Sequence, residues 1–105
     1  MEAHRQLEER LEVGAPTDVV LYQLTRARIL RRDNDLEGAS EAVEAASLGG
    51  ATEPRLLALV AREARSLGDL RRAQRAARSA VEGAPGIPEY RKLLAEILVE
   101  RRDGE

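Results

Sequence analysis

The sequence predicts an all-α fold of about six short helices, and three observations point to it. The first is composition: 17 of the 45 apolar residues are Ala, there are two Tyr, and there is no Phe, Trp or Cys among 105 residues. Ala is the best helix former and Leu, Arg and Glu follow it closely, while the β-branched and aromatic residues that build sheets are scarce. The second is punctuation, with all four prolines and most glycines falling between helix-like stretches. The third is a recurrence of residue types every 34 positions.

Taken in order, Ala3, Leu7 and Leu11 share one face at i, i+4 spacing and predict a helix over about 2–13, ended by Gly14-Ala15-Pro16. The second helix covers 17–32. Asp33-Asn34-Asp35 breaks it, and Asp35 is placed to cap a third helix over 36–47 by accepting free backbone N–H bonds. The stretch from Gly49-Gly50 to Pro54 leads into a fourth helix at 53–67. Gly68-Asp69 then turns the chain, with Asp69 capping a fifth helix at 70–82. Gly83-Ala84-Pro85-Gly86-Ile87-Pro88 separates it from a sixth at 88–102.

Sliding the sequence by 34 residues aligns Val20 with Pro54 and Pro88, Tyr22 with Leu56 and Tyr90, Ala27 with Ala61 and Ala95, and Leu30 with Ala64 and Leu98. Asp35, Asp69 and Asp103 coincide as well. In the second helix of each unit Leu36 matches Leu70, Ala39 matches Ala73, Val43 matches Ala77 and Ala46 matches Ala80. One such helix-turn-helix unit cannot bury its apolar side alone, and stacking of neighbours closes the core. A plain four-helix bundle with coincident periodicity is the competing architecture.

With these residues in place the chain resembles the tetratricopeptide repeat (TPR) family, best in the unit that carries Leu57, Val60, Ala61, Gly68-Asp69-Leu70, Ala73, Ala77, Ala80 and Pro85. The resemblance implies a right-handed stack of antiparallel helix hairpins, an α-solenoid. One domain, 1–105, would hold a degenerate partial repeat at 2–16, repeats at 20–53 and 54–87, and the first helix of a third at 88–105. Gln23 and Arg26 depart from the family pattern by standing where it places large apolar residues, and Arg102 stands where a turn glycine belongs. Arg26 is expected to lay its methylenes along the core edge.

The resemblance also implies a concave groove lined by first helices, at Leu21, Leu24, Thr25, Arg28, Arg31 and Arg32 in the first unit. In the second it maps to Arg55, Ala58, Leu59, Arg62, Arg65 and Ser66, and in the third to Glu89, Lys92, Leu93, Glu96, Val99 and Glu100. Such a groove is basic over two units. Arg28 would neighbour Arg62 and Arg31 would neighbour Arg65, like charges whose repulsion a bound anion relieves. The binding residues expected on this ground are Leu24, Arg28, Arg31, Arg32, Arg55, Leu59, Arg62 and Arg65, with Leu24, Leu59 and Leu93 receiving apolar side chains of an acidic peptide. Equally, Arg62 and Arg65 can pair with Glu96 and Glu100. Arg28 also stands where chaperone-tail receptors want Asn, which disfavours that class of ligand.

On the second helices Glu37, Glu41 and Glu44 correspond to Arg71, Arg75 and Arg78, which reads as a structural ladder of opposite charge and not a binding site. At the end of the chain Leu94, Ile97 and Leu98 are expected to be uncovered and to favour self-association. Both termini fall in mid-repeat, which also fits an excised piece of a longer protein.

Chemistry of its own is not expected. There is no Cys, the single His4 cannot hold a metal alone, Gly49-Gly50 leads to no phosphate loop, and the paired glutamates look solvated, so no cofactor and no metal are expected. A formal charge of −2 and the lack of aromatics make nucleic acid an improbable partner. With neither signal peptide nor membrane-spanning segment, the expected reading is a cytoplasmic, non-enzymatic module that binds a protein or peptide, with homo-oligomerisation as the alternative. Sixteen of the 17 basic residues are Arg, a skew that a GC-rich genome explains as well as recognition does.

Overall fold

The computed structural model describes residues 16–49 and 52–104. They form five α-helices with no strand among them: α1 (Pro16–Arg32), α2 (Leu36–Leu48), α3 (Pro54–Ser66), α4 (Leu70–Gly83) and α5 (Pro88–Gly104). Each starts and stops within two residues of where capping and punctuation place it. The helix expected over 2–13 lies outside the described residues. Proline opens α1, α3 and α5, where its missing N–H has no intrahelical acceptor to lose and its fixed φ already suits a helix.

The chain divides into two compact units, residues 1–51 and 52–105. In the first, the connection through residues 33–35 folds α2 back along α1. Buried Val20, Tyr22, Leu24 and Ala27 come from α1, and Ala39, Ala42, Val43 and Ala46 from α2. In the second, α4 folds back on α3 in the same way, and α5 packs mainly on α4 while also touching α3. Its core combines Leu56, Ala58, Val60, Ala61 and Ala64 of α3, Ala73, Ala76, Ala77 and Ala80 of α4, and Leu93 and Ile97 of α5. A seam of alanines lets the helices of a hairpin approach closely, so many thin contacts replace a few large aromatic ones. Gly83 shows how close: a Cβ there would lie 2.9 Å from Pro54 Cγ, so the end of α4 can meet the start of α3 only without a side chain.

The two hairpin turns share a set of hydrogen bonds related by a shift of 34 residues. Asp35 N–H donates to Leu30 O at 2.8 Å and Asp69 N–H to Ala64 O at 2.9 Å. Asn34 N–H donates to Arg31 O, and Gly68 N–H to Arg65 O, both at 3.0 Å. Each turn needs one left-handed residue, Asn34 (φ 66°) in the first and Gly68 (φ 80°) in the second, a conformation that Gly adopts freely and Asn better than most. The aspartates then cap as expected: Asp35 Oδ1 accepts from Gly38 N–H at 2.9 Å, and Asp69 Oδ1 from Arg72 N–H at 3.1 Å. Asp69 also pairs with the Arg72 guanidinium at 2.9 Å. Each cap contributes about 1 kcal/mol.

Two expectations change here. Ile97 is completely buried and belongs to the core of its unit instead of an uncovered end. A helix turns by 100° per residue, so Ile97 shares its side with Leu93, four residues back, while Leu98 and Val99 rotate outward and are 39% and 58% exposed. Leu94 is half-buried. Leu24 and Leu93 are 7% and 5% exposed, which leaves little of either to receive a ligand's side chain.

Candidate interaction site

Helix α3 separates its faces cleanly. Leu56, Val60, Glu63 and Ala64 point inward, while Arg55, Arg62 and Ser66 are exposed and Leu59 is half-buried. Helix α5 brings Glu89, Lys92 and Glu96 alongside, with Leu93 as their buried neighbour. Together Arg62, Arg65, Glu89, Lys92, Leu93 and Glu96 line a depression of about 240 Å³. Of the site residues expected in this unit, Arg62 and Arg65 are thus brought together, whereas Arg55 and Leu59 are not part of the lining.

The two arginines differ in kind. Arg65 reaches across to α5, where its Nη1 lies 3.0 Å from Glu96 Oε2 and its Nε donates to Glu100 Oε1 at 2.6 Å, and its Nη2 also pairs with Glu100. The Glu100 hydrogen bond, opposed by some desolvation and reinforced by Glu96, holds this guanidinium above its ordinary pKa. Arg65 is therefore a clamp between α3 and α5, and its charge is already matched. Arg62 and Lys92 have no ion-pair partner among the described residues, and neither has Glu89, so a carboxylate entering the depression meets one open guanidinium from α3, one open ammonium from α5 and the single open carboxylate of Glu89 at the start of α5. The pairing that was open from sequence for Arg62 and Arg65 alike is made by Arg65 alone, which takes both Glu96 and Glu100.

In the first unit Arg28 and Arg32 are exposed on α1 and Arg31 is half-buried. Arg28 and Arg31 both make interactions of their own. Arg26 is half-buried, in keeping with methylenes laid along the core edge. The other unusual residue, Gln23, buries its Oε1 without a hydrogen-bond partner among the described residues, which is costly for an amide oxygen.

The sequence did not reveal a second depression in the 52–105 unit, of about 280 Å³, lined by Arg71, Gln74, Arg75, Arg78, Ser79 and Glu82 of α4 and Arg101 of α5. Arg101 donates to Gln74 Oε1. The only signal was the i, i+4, i+7 spacing of Arg71, Arg75 and Arg78, which a comparison with Glu37, Glu41 and Glu44 had assigned to structural pairing. None of these three arginines has an ion-pair partner within its unit.

No group of three or more His, Asp or Glu side chains able to hold a metal occurs among the described residues. None of their helices is long and apolar enough to cross a membrane. Compared with protein-family models, with curated proteins and with solved structures, the chain finds no significant match in any of the three.

Proposed function

We propose that the chain is a non-catalytic protein-interaction module of the tetratricopeptide type, working in the cytoplasm, and that it holds an acidic peptide segment of a partner. The recurrence of turn hydrogen bonds at 34-residue spacing supports reading the two hairpins as successive repeats, stacked in a right-handed solenoid. The observation that carries the ligand class is the pair Arg62 and Lys92, which line one depression from two helices while the neighbouring Arg65 is neutralised. A guanidinium favours a carboxylate by its fork geometry, and Lys92 adds a point charge beside it. Half-buried Leu59, one turn before Arg62 on α3, is the apolar contact left for the ligand once Leu24 and Leu93 belong to the core. In the first unit Arg28 and Arg32 are exposed basic residues as well.

The test is fluorescence anisotropy with a set of acidic peptides. Reversing both charges, R62E with K92E, should lower affinity at least about tenfold while helicity persists. Retained affinity overturns the proposal. Exposure of Leu98 and Val99 favours a second reading, self-association through α5. That reading expects a dimer in light scattering that Leu98→Glu converts to a monomer.

A further inference from the structure

The depression between α4 and α5 has no part in the groove on the α3 side. Its lining sets the three guanidinium groups of Arg71, Arg75 and Arg78 against the single carboxylate of Glu82, beside Arg101, which is already engaged with Gln74. Elsewhere in the same unit arginines near carboxylates use them: Arg65 takes two glutamates and Arg72 takes Asp69. Arg71, Arg75 and Arg78 are exposed and have no such partner within the unit. Like charges held this close repel, and a matching set of anions relieves that cost.

Spacing says what the anions should be. From Arg71 to Arg78 the row spans about 10.5 Å at 1.5 Å per residue, one side of a helix over two turns. Carboxylates placed at i, i+4 and i+7 on a facing helix repeat that spacing. On α5, Leu94 and Leu98 precede Arg101 by seven and three residues and so share its side, Leu98 being 39% exposed. An apolar strip beside a basic row suits an amphipathic helix. No aromatic side chain lines the depression, so nucleic-acid bases would find nothing to stack on.

We infer that the α4–α5 depression docks an amphipathic helix of a partner protein, with acidic residues at i, i+4 and i+7 facing Arg71, Arg75 and Arg78 and an apolar stripe against Leu94 and Leu98. The probe is a helix-stabilised synthetic peptide carrying glutamates at that spacing and leucines on the adjoining stripe, titrated into the full chain by calorimetry. Binding should weaken at least about tenfold in R71E/R75E/R78E, weaken less in R71Q/R75Q/R78Q, and fall with added salt. Both variants change exposed side chains and should keep their helical circular dichroism. The R62E/K92E variant should bind this peptide as the wild type does, which separates this surface from the groove on the α3 side.

Equal affinity for a peptide with the same glutamates at scrambled spacing would overturn the inference. So would unchanged binding in both triple variants, or tighter binding of an oligouridylate than of the peptide. A dimer of the wild-type chain that R71E/R75E/R78E turns into a monomer also overturns it, because the exposed Glu37, Glu41 and Glu44 of α2 in a second copy would then be the occupant.

Discussion

The α1–α2 hairpin and the α3–α4 hairpin carry the same turn and the same alanine seam, but only the second is followed, within its unit, by a helix that packs on it. The residue 34 positions apart meets different surroundings each time. Ile29 on α1 is 41% exposed, Glu63 on α3 is 7% exposed, and Ile97 on α5 is fully buried. Ala27 and Ala61 are fully buried, whereas Ala95 is exposed. A repeat fixes which residue types recur; neighbours decide what each copy does.

The largest effect should come from the isoleucines. Ile97→Ala removes a fully buried side chain from the contact of α5 with α4 and should cost about 2–5 kcal/mol. Ile29→Ala, the same change at the equivalent position, should stay within about 0.5 kcal/mol. The two are read as shifts in the urea midpoint of the full chain. Similar losses at both sites would mean that α1 is covered as fully as α5, and the comparison would fail.

Next come the alanines, where adding volume replaces removing it. Ala61→Leu forces extra methylenes into the close approach of α3 and α4 and should cost about 1–3 kcal/mol. Ala95→Leu on the open side of α5 should be near neutral, and Leu has almost the helix propensity of Ala. Thermal unfolding of the two variants checks this, and a neutral Ala61→Leu would show the seam to be loosely packed.

These pairs also mark what could be read from the chain alone. Helix positions, the proline starts and the caps at Asp35 and Asp69 are local events, set by residues within a turn of one another, and the pattern of side chains is enough to place them. Burial of Ile97 was legible too, from its i+4 relation to Leu93, but grouping it with Leu94 and Leu98 as one uncovered end overlooked that α4 covers the Leu93–Ile97 edge of that side and leaves the Leu94–Leu98 edge more open. Arg65 and Arg62 are both arginines on α3, and only the approach of α5 distinguishes a clamp from an open charge. The basic row on α4 was visible as a row. Comparison with the glutamates of α2 supplied it with partners, and the arginines have none within their own unit.

The turns offer a smaller contrast. Gly68→Ala puts a Cβ on a left-handed residue and should cost about 1 kcal/mol, although open space surrounds the position. Asn34→Gly, at the matching place in the first hairpin, should change stability by only a few tenths of a kcal/mol, since Asn already tolerates that conformation. Differential scanning calorimetry of both variants is the measure. A Gly68→Ala variant as stable as wild type would mean that the second turn can relax out of the left-handed region.

Only a small change in stability should follow Arg65→Gln, because a half-exposed ion pair contributes about 0–1 kcal/mol and is screened by salt. Its effect on binding should be larger than its effect on folding. Without Arg65, Glu96 and Glu100 lose the charge that matches them, and Glu96 stands beside Lys92 in the lining of the depression meant for an acidic ligand. Affinity for an acidic peptide should fall several-fold although Arg65 need not touch the peptide, and adding Glu96→Gln and Glu100→Gln should restore it. If the triple variant binds no better than Arg65→Gln alone, Arg65 meets the ligand directly and is not the neutral clamp that sets Arg62 apart from it.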